Sequence, residues 1–380
     1  MVSRRIIFRL LQCITGTLAL TLILLCHVSY DKVTMSRLRL ERIRNASRQL
    51  YTSARCRPAE HIIFIKVHKA GSSTVFNILM RYASQNLLNV AMPHQADAFH
   101  LGLPWHFTPE VVQKFSAANM TTNLVTMHLR YKHSALRELM PEAQPKFITI
   151  MRKPADMFAS MYHYYQLDKH FNATLEKFVV TAVLTEELRH NRYSSVLGFN
   201  QIAFDLGMEN FDNSAAVDEL IRHVNKTFHL VMIAERLEES LILLRNKLCL
   251  PFTSILAFRK NALSKRAQLS NATRWGLKKL NHIDMQLYTF FSDKLDREVN
   301  KFGRKRMEKY VGQLQNATRY WYSRCVNHEA DVRVIVQVVK PERRDEELCR
   351  WLTYDELKFA REVRDIQARR ARMATGRFYS

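Results

Sequence analysis

The stretch HIIFIKVHKAGSSTVFNILMRYAS, residues 61–84, constrains the fold more than any other part of the chain. Residues 61–67 are dense in β-branched and aromatic types, which predicts a buried strand. From Thr74 onward, Val75, Ile78, Leu79 and Tyr82 recur at the spacing of one helix face. Between the two lie His68, Lys69, Ala70, Gly71, Ser72 and Ser73. A turn that leaves a strand and opens a helix aims several backbone N–H groups at one spot, where the helix dipole adds positive potential. Gly71 permits close approach and Lys69 adds a full charge, so the outline is a phosphate cradle. It is not a Walker A loop, GxxxxGK[ST], because Lys69 precedes the only glycine. A Ser-rich turn that merely caps its helix is the alternative, and this stretch alone does not choose.

Charge and compartment narrow the choice. A net charge of +23 implies anionic partners: nucleic acid, acidic glycans, phosphorylated nucleotides or a membrane surface. Residues 10–28 carry no charge over about one bilayer's thickness and follow Arg4, Arg5 and Arg9, which predicts a membrane anchor. A cleaved signal peptide is the alternative, but the apolar run is long for one and no small-x-small cleavage site follows. Lys32, Arg37, Arg39, Arg42, Arg44 and Arg48 come next, so flanking charge does not orient the segment. Asn45, Asn119, Asn172, Asn225, Asn271 and Asn316 each begin an N-x-[ST] triplet, and six such sites beyond the anchor predict a lumenal, N-glycosylated chain. The expected topology is single-pass with the N-terminus cytoplasmic, which removes nucleic acid as a partner. Outside the anchor, Cys56, Cys249, Cys325 and Cys349 allow three disulfide pairings. No CxxC pair or His/Cys cluster at metal spacing occurs, so no structural zinc site is expected.

At 380 residues the chain can hold one large α/β domain or two smaller ones. The expected divisions are a cytoplasmic tail 1–9, an anchor 10–28, a basic stem 29–57, a lumenal domain 58–325 and an extension 326–380. After the opening unit comes a His-, Pro- and aromatic-rich loop, 92–109, of a length that is usually functional. A short strand is predicted at 123–127, ending at His128 in MHLRYKH. Another at 146–151 ends in Arg152-Lys153-Pro154 and passes into an amphipathic stretch, 157–165. Repeated strand-loop-helix units with cationic loops imply a parallel sheet whose carboxyl ends share a cleft. Residues 175–206 read as helical and close with GFNQIAFDLG; 228–233 reads as a strand, followed by a helix with a stripe at Leu237, Leu241, Leu244 and Leu248. Residues 258–269 form a basic loop whose Lys265 and Arg266 either touch a ligand or are simply solvated. Residues 285–314 read as a long charged helical region, and 332–339 as a strand. A last helix is predicted to start at Thr353, with a capping box closed by Glu356.

With three cationic loops in hand, the chain resembles the galactose 3-O-sulfotransferases, Golgi enzymes that use the sulfate donor PAPS and include galactosylceramide sulfotransferase. The family's opening motif looks like FLKTHKTASST before a helix starting LNIL; here the run is FIKVHKAGSSTVFNIL. Further matches are the HxRxH-like run at His128, RxPxxxxxS from Arg152 to Ser160, FNxxxFDLG from Phe199 to Gly207, FHLVxxxExxxESLxLL from Phe228, and FGRxRM from Phe302. Ala70-Gly71 stands where the family pattern has Thr-Ala, and Lys153 where it has Asp.

The resemblance implies a three-layer P-loop-like sulfotransferase fold behind an N-terminal transmembrane helix, in a type II Golgi membrane protein. It implies sulfuryl transfer from PAPS to the 3-hydroxyl of a β-galactose on a glycolipid or glycoprotein. Lys69, Ala70, Gly71, Ser72, Ser73 and Thr74 would cradle the donor's 5'-phosphosulfate, and Arg152 and Ser160 its 3'-phosphate. By analogy with phosphoryl transfer, His128 would take the acceptor's proton and Lys69 would stabilise the leaving oxygen. His68 is a second catalytic or positioning candidate. The scheme calls for no metal. Rival readings are a sulfotransferase for a uronic acid or hexosamine, and an inactive relative that binds acidic glycans. A P-loop kinase is a more distant third, lacking both Walker A and an acidic magnesium ligand after a strand.

Overall fold

A computed structural model describes residues 56–95, 98–113, 120–258, 268–327, 338–343 and 346–375. The anchor 10–28, nearly all of the stem, Asn45, Asn119, Lys265, Arg266 and most of 332–339 lie outside these residues. No helix among the described residues is long and apolar enough to cross a membrane.

The centre is a parallel sheet of β1 (Ile62–Ile65), β2 (Leu124–Val125), β3 (Lys146–Met151) and β4 (Leu230–Ile233), in the order β2-β1-β3-β4. Ile62 pairs with both Leu124 and Lys146, and Ile148 pairs with Leu230. All four β1 residues are fully buried, which is why this strand reads as a continuous apolar run rather than an alternation. The chain runs from β1 outward to β2 and then returns across β1 to β3. That reversal opens a crevice beyond the carboxyl ends of β1 and β3, where open α/β sheets place ligands.

Fourteen described α-helices surround the sheet. Before β4 come α1 (Ser72–Asn86), α2 (His133–Leu139), α3 (Pro154–Tyr164), α4 (Leu167–His170), α5 (Leu175–Val180), α6 (Ala182–His190), α7 (Gln201–Asp205) and α8 (Ser214–Thr227). After it come α9 (Leu237–Leu248), α10 (Asn271–Leu280), α11 (His282–Phe302), α12 (Arg304–Cys325), α13 (Glu347–Thr353) and α14 (Glu356–Thr375). The expected strand 146–151 matches residue for residue, and the helix carrying the Leu237 stripe is present as α9.

The structure refines two expectations and corrects a third. The region 285–314 is not one helix: Gly303, at φ 97°, ends α11 and starts α12, a conformation that a residue with a Cβ resists. The region 175–206 breaks into α5, α6 and α7, with an antiparallel bridge between Tyr193 and Leu197. The last helix does not start at Thr353, whose hydroxyl donates back to Cys349 O and Arg350 O inside α13. Asp355 caps α14 instead, its Oδ1 accepting from Lys358 N at 2.8 Å, so Glu356 closes no capping box.

The described residues of the extension pack on the domain. Val326–Asn327 and Val338–Val339 pair as a small antiparallel ladder, β5 and β6. Cys325 is bonded to Cys349, which selects one of the three pairings; Cys56 and Cys249 are each disulfide-bonded too. On α1, Asn77 Nδ2 donates to Trp351 O at 2.8 Å. Gln367 of α14 accepts from Val90 N at 2.7 Å and donates to Val90 O at 3.1 Å, a peptide-like pairing that a buried backbone segment requires.

Candidate active site

The opening loop is built as a tight turn. Lys69 (φ 54°) and Gly71 (φ 80°) both take the left-handed conformation, and a Cβ added at Gly71 would come no nearer than 3.9 Å to Ala234 Cβ, so the turn's surface stays open. Ser72 spends its hydroxyl inward, donating to Val67 O at 2.8 Å, and no side chain caps α1. The amino end of α1 therefore faces a cavity of about 400 Å³. His68, Lys69, Gly71, Ser72, Ser73, Thr74, His128, Arg152 and Ser160 all line it. Ala70 does not; it is fully buried under the loop.

Cations converge on this cavity. Lys69 Nζ lies 3.3 Å above the Tyr164 ring, and burial, with Lys66 and Arg152 adding like charge, pushes its ammonium down to about 8. Arg152 Nη1 donates to Lys69 O at 2.9 Å, tying the loop after β3 to the loop after β1. Lys153 begins α3 with an exposed side chain outside the cavity, and its N–H donates to Glu235 Oε1 at 2.9 Å. The residue that departs from the family pattern thus adds its charge beside the cavity rather than in it.

Two histidines stand at the inner end. His68 and His128 stack with ring centroids 4.0 Å apart. The fully buried Asp205, 137 residues from His68, accepts from His68 N at 2.8 Å and lies 3.0 Å from His68 Nδ1. A carboxylate only accepts, so His68 carries its proton on Nδ1 and presents the Nε2 lone pair, which makes no hydrogen bond to the described residues. His128 is disposed the other way. Its Nδ1–H donates to Lys66 O at 3.0 Å, and its Nε2 accepts from Lys66 Nζ at 2.6 Å. Desolvation, then the charge of Lys66 and the neighbouring His68, holds the His128 ring well below the usual imidazole range.

Asp205 is placed by reciprocal capping. Asp284 of α11 accepts from Ile202 N and Ala203 N, both at 2.9 Å, while Asn200 Oδ1 accepts from Ile283 N at 3.2 Å. Each helix thus satisfies the other's first N–H groups. Burial pushes the Asp284 carboxyl up to about 7 against those two hydrogen bonds.

Sequence reasoning missed Lys66, Asp205 and Glu356. Lys66 lies within FIKVHK and Asp205 within FNQIAFDLG, so both were visible as motif members without a role. Glu356 Oε1 lies 3.1 Å from Lys66 Nζ, a contact from the far end of the chain with no local signal. Among the described residues, no three His, Cys, Asp or Glu side chains cluster as metal ligands.

The arrangement joins an anion cradle to an oriented imidazole, which suits transfer of an anionic group onto a hydroxyl. Comparison with known proteins points the same way. The chain matches the galactose-3-O-sulfotransferase family over residues 2–353. It is 33% identical over 305 residues to the galactosylceramide sulfotransferase of Homo sapiens, covering 75% of this chain and 69% of that protein. It is 32% identical over 289 residues to galactose-3-O-sulfotransferase 3 of Mus musculus, covering 73% and 66%, and 32% over 299 residues to galactose-3-O-sulfotransferase 2 of Homo sapiens, covering 76% and 73%. On its motifs, its cavity and these matches, the chain belongs to the galactose-3-O-sulfotransferase family.

Proposed function

We propose that this protein transfers the sulfuryl group of PAPS to the 3-hydroxyl of a β-galactose residue in glycolipid or glycoprotein glycans. The observation that carries the reading is that Lys69, Gly71, Ser72, Ser73, Thr74, Arg152 and Ser160 line one cavity with His68, whose Nδ1 is held from behind by Asp205. The donor supplies an activated sulfuryl group on a phosphate leaving group. Lys69, the N–H groups at the start of α1, and the hydroxyls of Ser73 and Thr74 hold its phosphosulfate end; Arg152 and Ser160 hold its 3'-phosphate. This donor reading carries with it the three-layer arrangement of P-loop-like sulfotransferases.

His68, not His128, takes the acceptor's proton. Its Nε2 lone pair is available, and Asp205 fixes the tautomer and stabilises the imidazolium that forms. His128 has its Nε2 engaged by Lys66, and burial beside that cation makes its ring hard to charge. Its part is to stack on His68 and hold that ring's plane. Lys69 neutralises charge on the leaving oxygen.

The setting that fits is the Golgi lumen, with residues 10–28 as a type II anchor. Asn172, Asn225, Asn271 and Asn316 are all exposed, as glycan acceptors must be, and the Cys325–Cys349 bond suits an oxidising compartment.

The purified chain, given radiolabelled PAPS and a panel of galactose-, uronic acid- and hexosamine-terminated glycans, is expected to yield 3-O-sulfogalactose. Sulfate on another sugar alone would overturn the acceptor. Failure to bind the donor while retaining acidic glycans would favour a binding protein instead.

A further inference from the structure

Glu356 reaches the catalytic cavity from a helix that begins beyond residue 353, where the family match ends. Its side chain is 17% exposed, its Oε1 is 3.1 Å from Lys66 Nζ, and that oxygen is not aligned as a hydrogen bond. Capping of α14 does not employ it, because Asp355 does that work. The nearby carboxylates are otherwise committed: Asp205 to His68, and Glu235 to Lys153 N and the Tyr288 hydroxyl. Lys66, in turn, sits between Glu356, His128 Nε2 and the Phe99 ring, 5.0 Å from its centroid.

The charge balance explains why a carboxylate belongs there. Without it the cavity would hold Lys66, Lys69 and Arg152 against Glu235 alone, a carboxylate already engaged by Lys153 N and the Tyr288 hydroxyl, in a chain of net charge +23. The donor's anionic end has its own cations in Lys69 and Arg152. An unpaired Lys66 beside the two histidines would make the remaining half a second anion site, attracting acidic glycans and retaining a sulfated product. A carboxylate there cancels that charge and repels an anion placed next to the reacting hydroxyl.

We propose that Glu356 is a specificity-determining residue: paired with Lys66, it makes the acceptor half of the cavity select an uncharged galactoside over glycans bearing a carboxylate or sulfate near the reacting hydroxyl, including the enzyme's own product. This rests on the sulfotransferase reading above.

The test uses the full chain in detergent and the variant Glu356→Gln, which keeps shape and an acceptor oxygen but removes the charge. The readouts are kcat/KM for a neutral β-galactoside and its 6-O-sulfated counterpart, inhibition by the 3-O-sulfated product, and titration with adenosine 3',5'-bisphosphate as a donor-side probe. In Glu356→Gln the neutral-to-anionic preference is expected to fall by about tenfold or more, product inhibition to tighten comparably, and the nucleotide to bind no more weakly than in the wild type. Glu356→Asp, which keeps the charge, retains the wild-type preference. In the wild type that preference shrinks as salt is raised, a measurement that needs no variant. A preference and product inhibition unchanged in Glu356→Gln, or a wild-type preference insensitive to salt, overturns the proposal. A wild-type chain that neither binds the nucleotide nor sulfates any glycan overturns the underlying sulfotransferase reading instead.

Discussion

His68 owes its chemical character to Asp205, since a neutral imidazole can present either nitrogen and the carboxylate decides which. Asp205→Asn keeps the volume but offers an amide that can hold the wrong tautomer. The expected result is a fall in single-turnover sulfation by ~10²–10⁴-fold with nucleotide binding preserved, matching His68→Ala, whereas His128→Ala loses less. A collapse in His128→Ala beside a near-normal His68→Ala would exchange the two roles. Lys69 makes a second prediction, because anion binding needs its ammonium form and that form is lost near pH 8. Donor-side nucleotide affinity should be flat below about pH 8 and weaken above it by up to about tenfold per pH unit. Lys69→Arg, charged throughout, removes the inflection even if it lowers affinity overall. Calorimetric titration from neutral to pH 9.5 checks this, and an unchanged inflection in Lys69→Arg would place it on another group.

At the scale of elements, legibility followed burial. The sheet strands and α9 were readable because core contact imposes a pattern that short-range reading detects: β1 is apolar throughout, and α9 carries one leucine stripe. The loop 68–74 and Arg152 stood out as candidates because two strand ends carry cations, while a plain helix cap was an equal reading of the loop by itself. What escaped was decided by competition or by distance. Thr353 and Asp355 are both capping types two residues apart, and Thr353 lost because its hydroxyl finds carbonyls within α13. Gly303 inside a charged helical pattern gave no hint whether it would bend the helix or end it. Asp205 and Glu356 gain meaning only from His68 and Lys66, partners that sequence spacing cannot supply. Asp284 belongs with them: its role is to cap α7, and so to aim Asp205, across a gap of about eighty residues.

For the whole molecule, the placement of Glu356 makes the C-terminal extension part of the enzyme's selectivity. The extension is held at several places, among them Arg364 on Gln113 and Pro93 O. Gln367 bonds the backbone of Val90, Asn77 of α1 donates to Trp351 O in α13, and the Cys325–Cys349 bond closes a segment with a sequence separation of 24 between the end of α12 and α13. Closing a loop of that size removes enough unfolded-state entropy to stabilise by ~3 kcal/mol. Replacing both cysteines by serine should therefore lower the melting temperature by several degrees, at roughly 2–4 °C per kcal/mol for a domain of this order of size. The loss should not be uniform. Amide exchange is expected to accelerate in α13, α14 and the face of α1 around Asn77, while β1 and β3, paired with each other in the buried centre of the sheet, keep their protection. Nucleotide affinity should survive, since Lys69 and Arg152 belong to the sheet's own loops. Discrimination between neutral and sulfated galactosides should relax as α14 loosens its hold on Lys66. A variant that exchanges faster everywhere, yet keeps its acceptor preference, would show that the extension stabilises the fold without shaping the site.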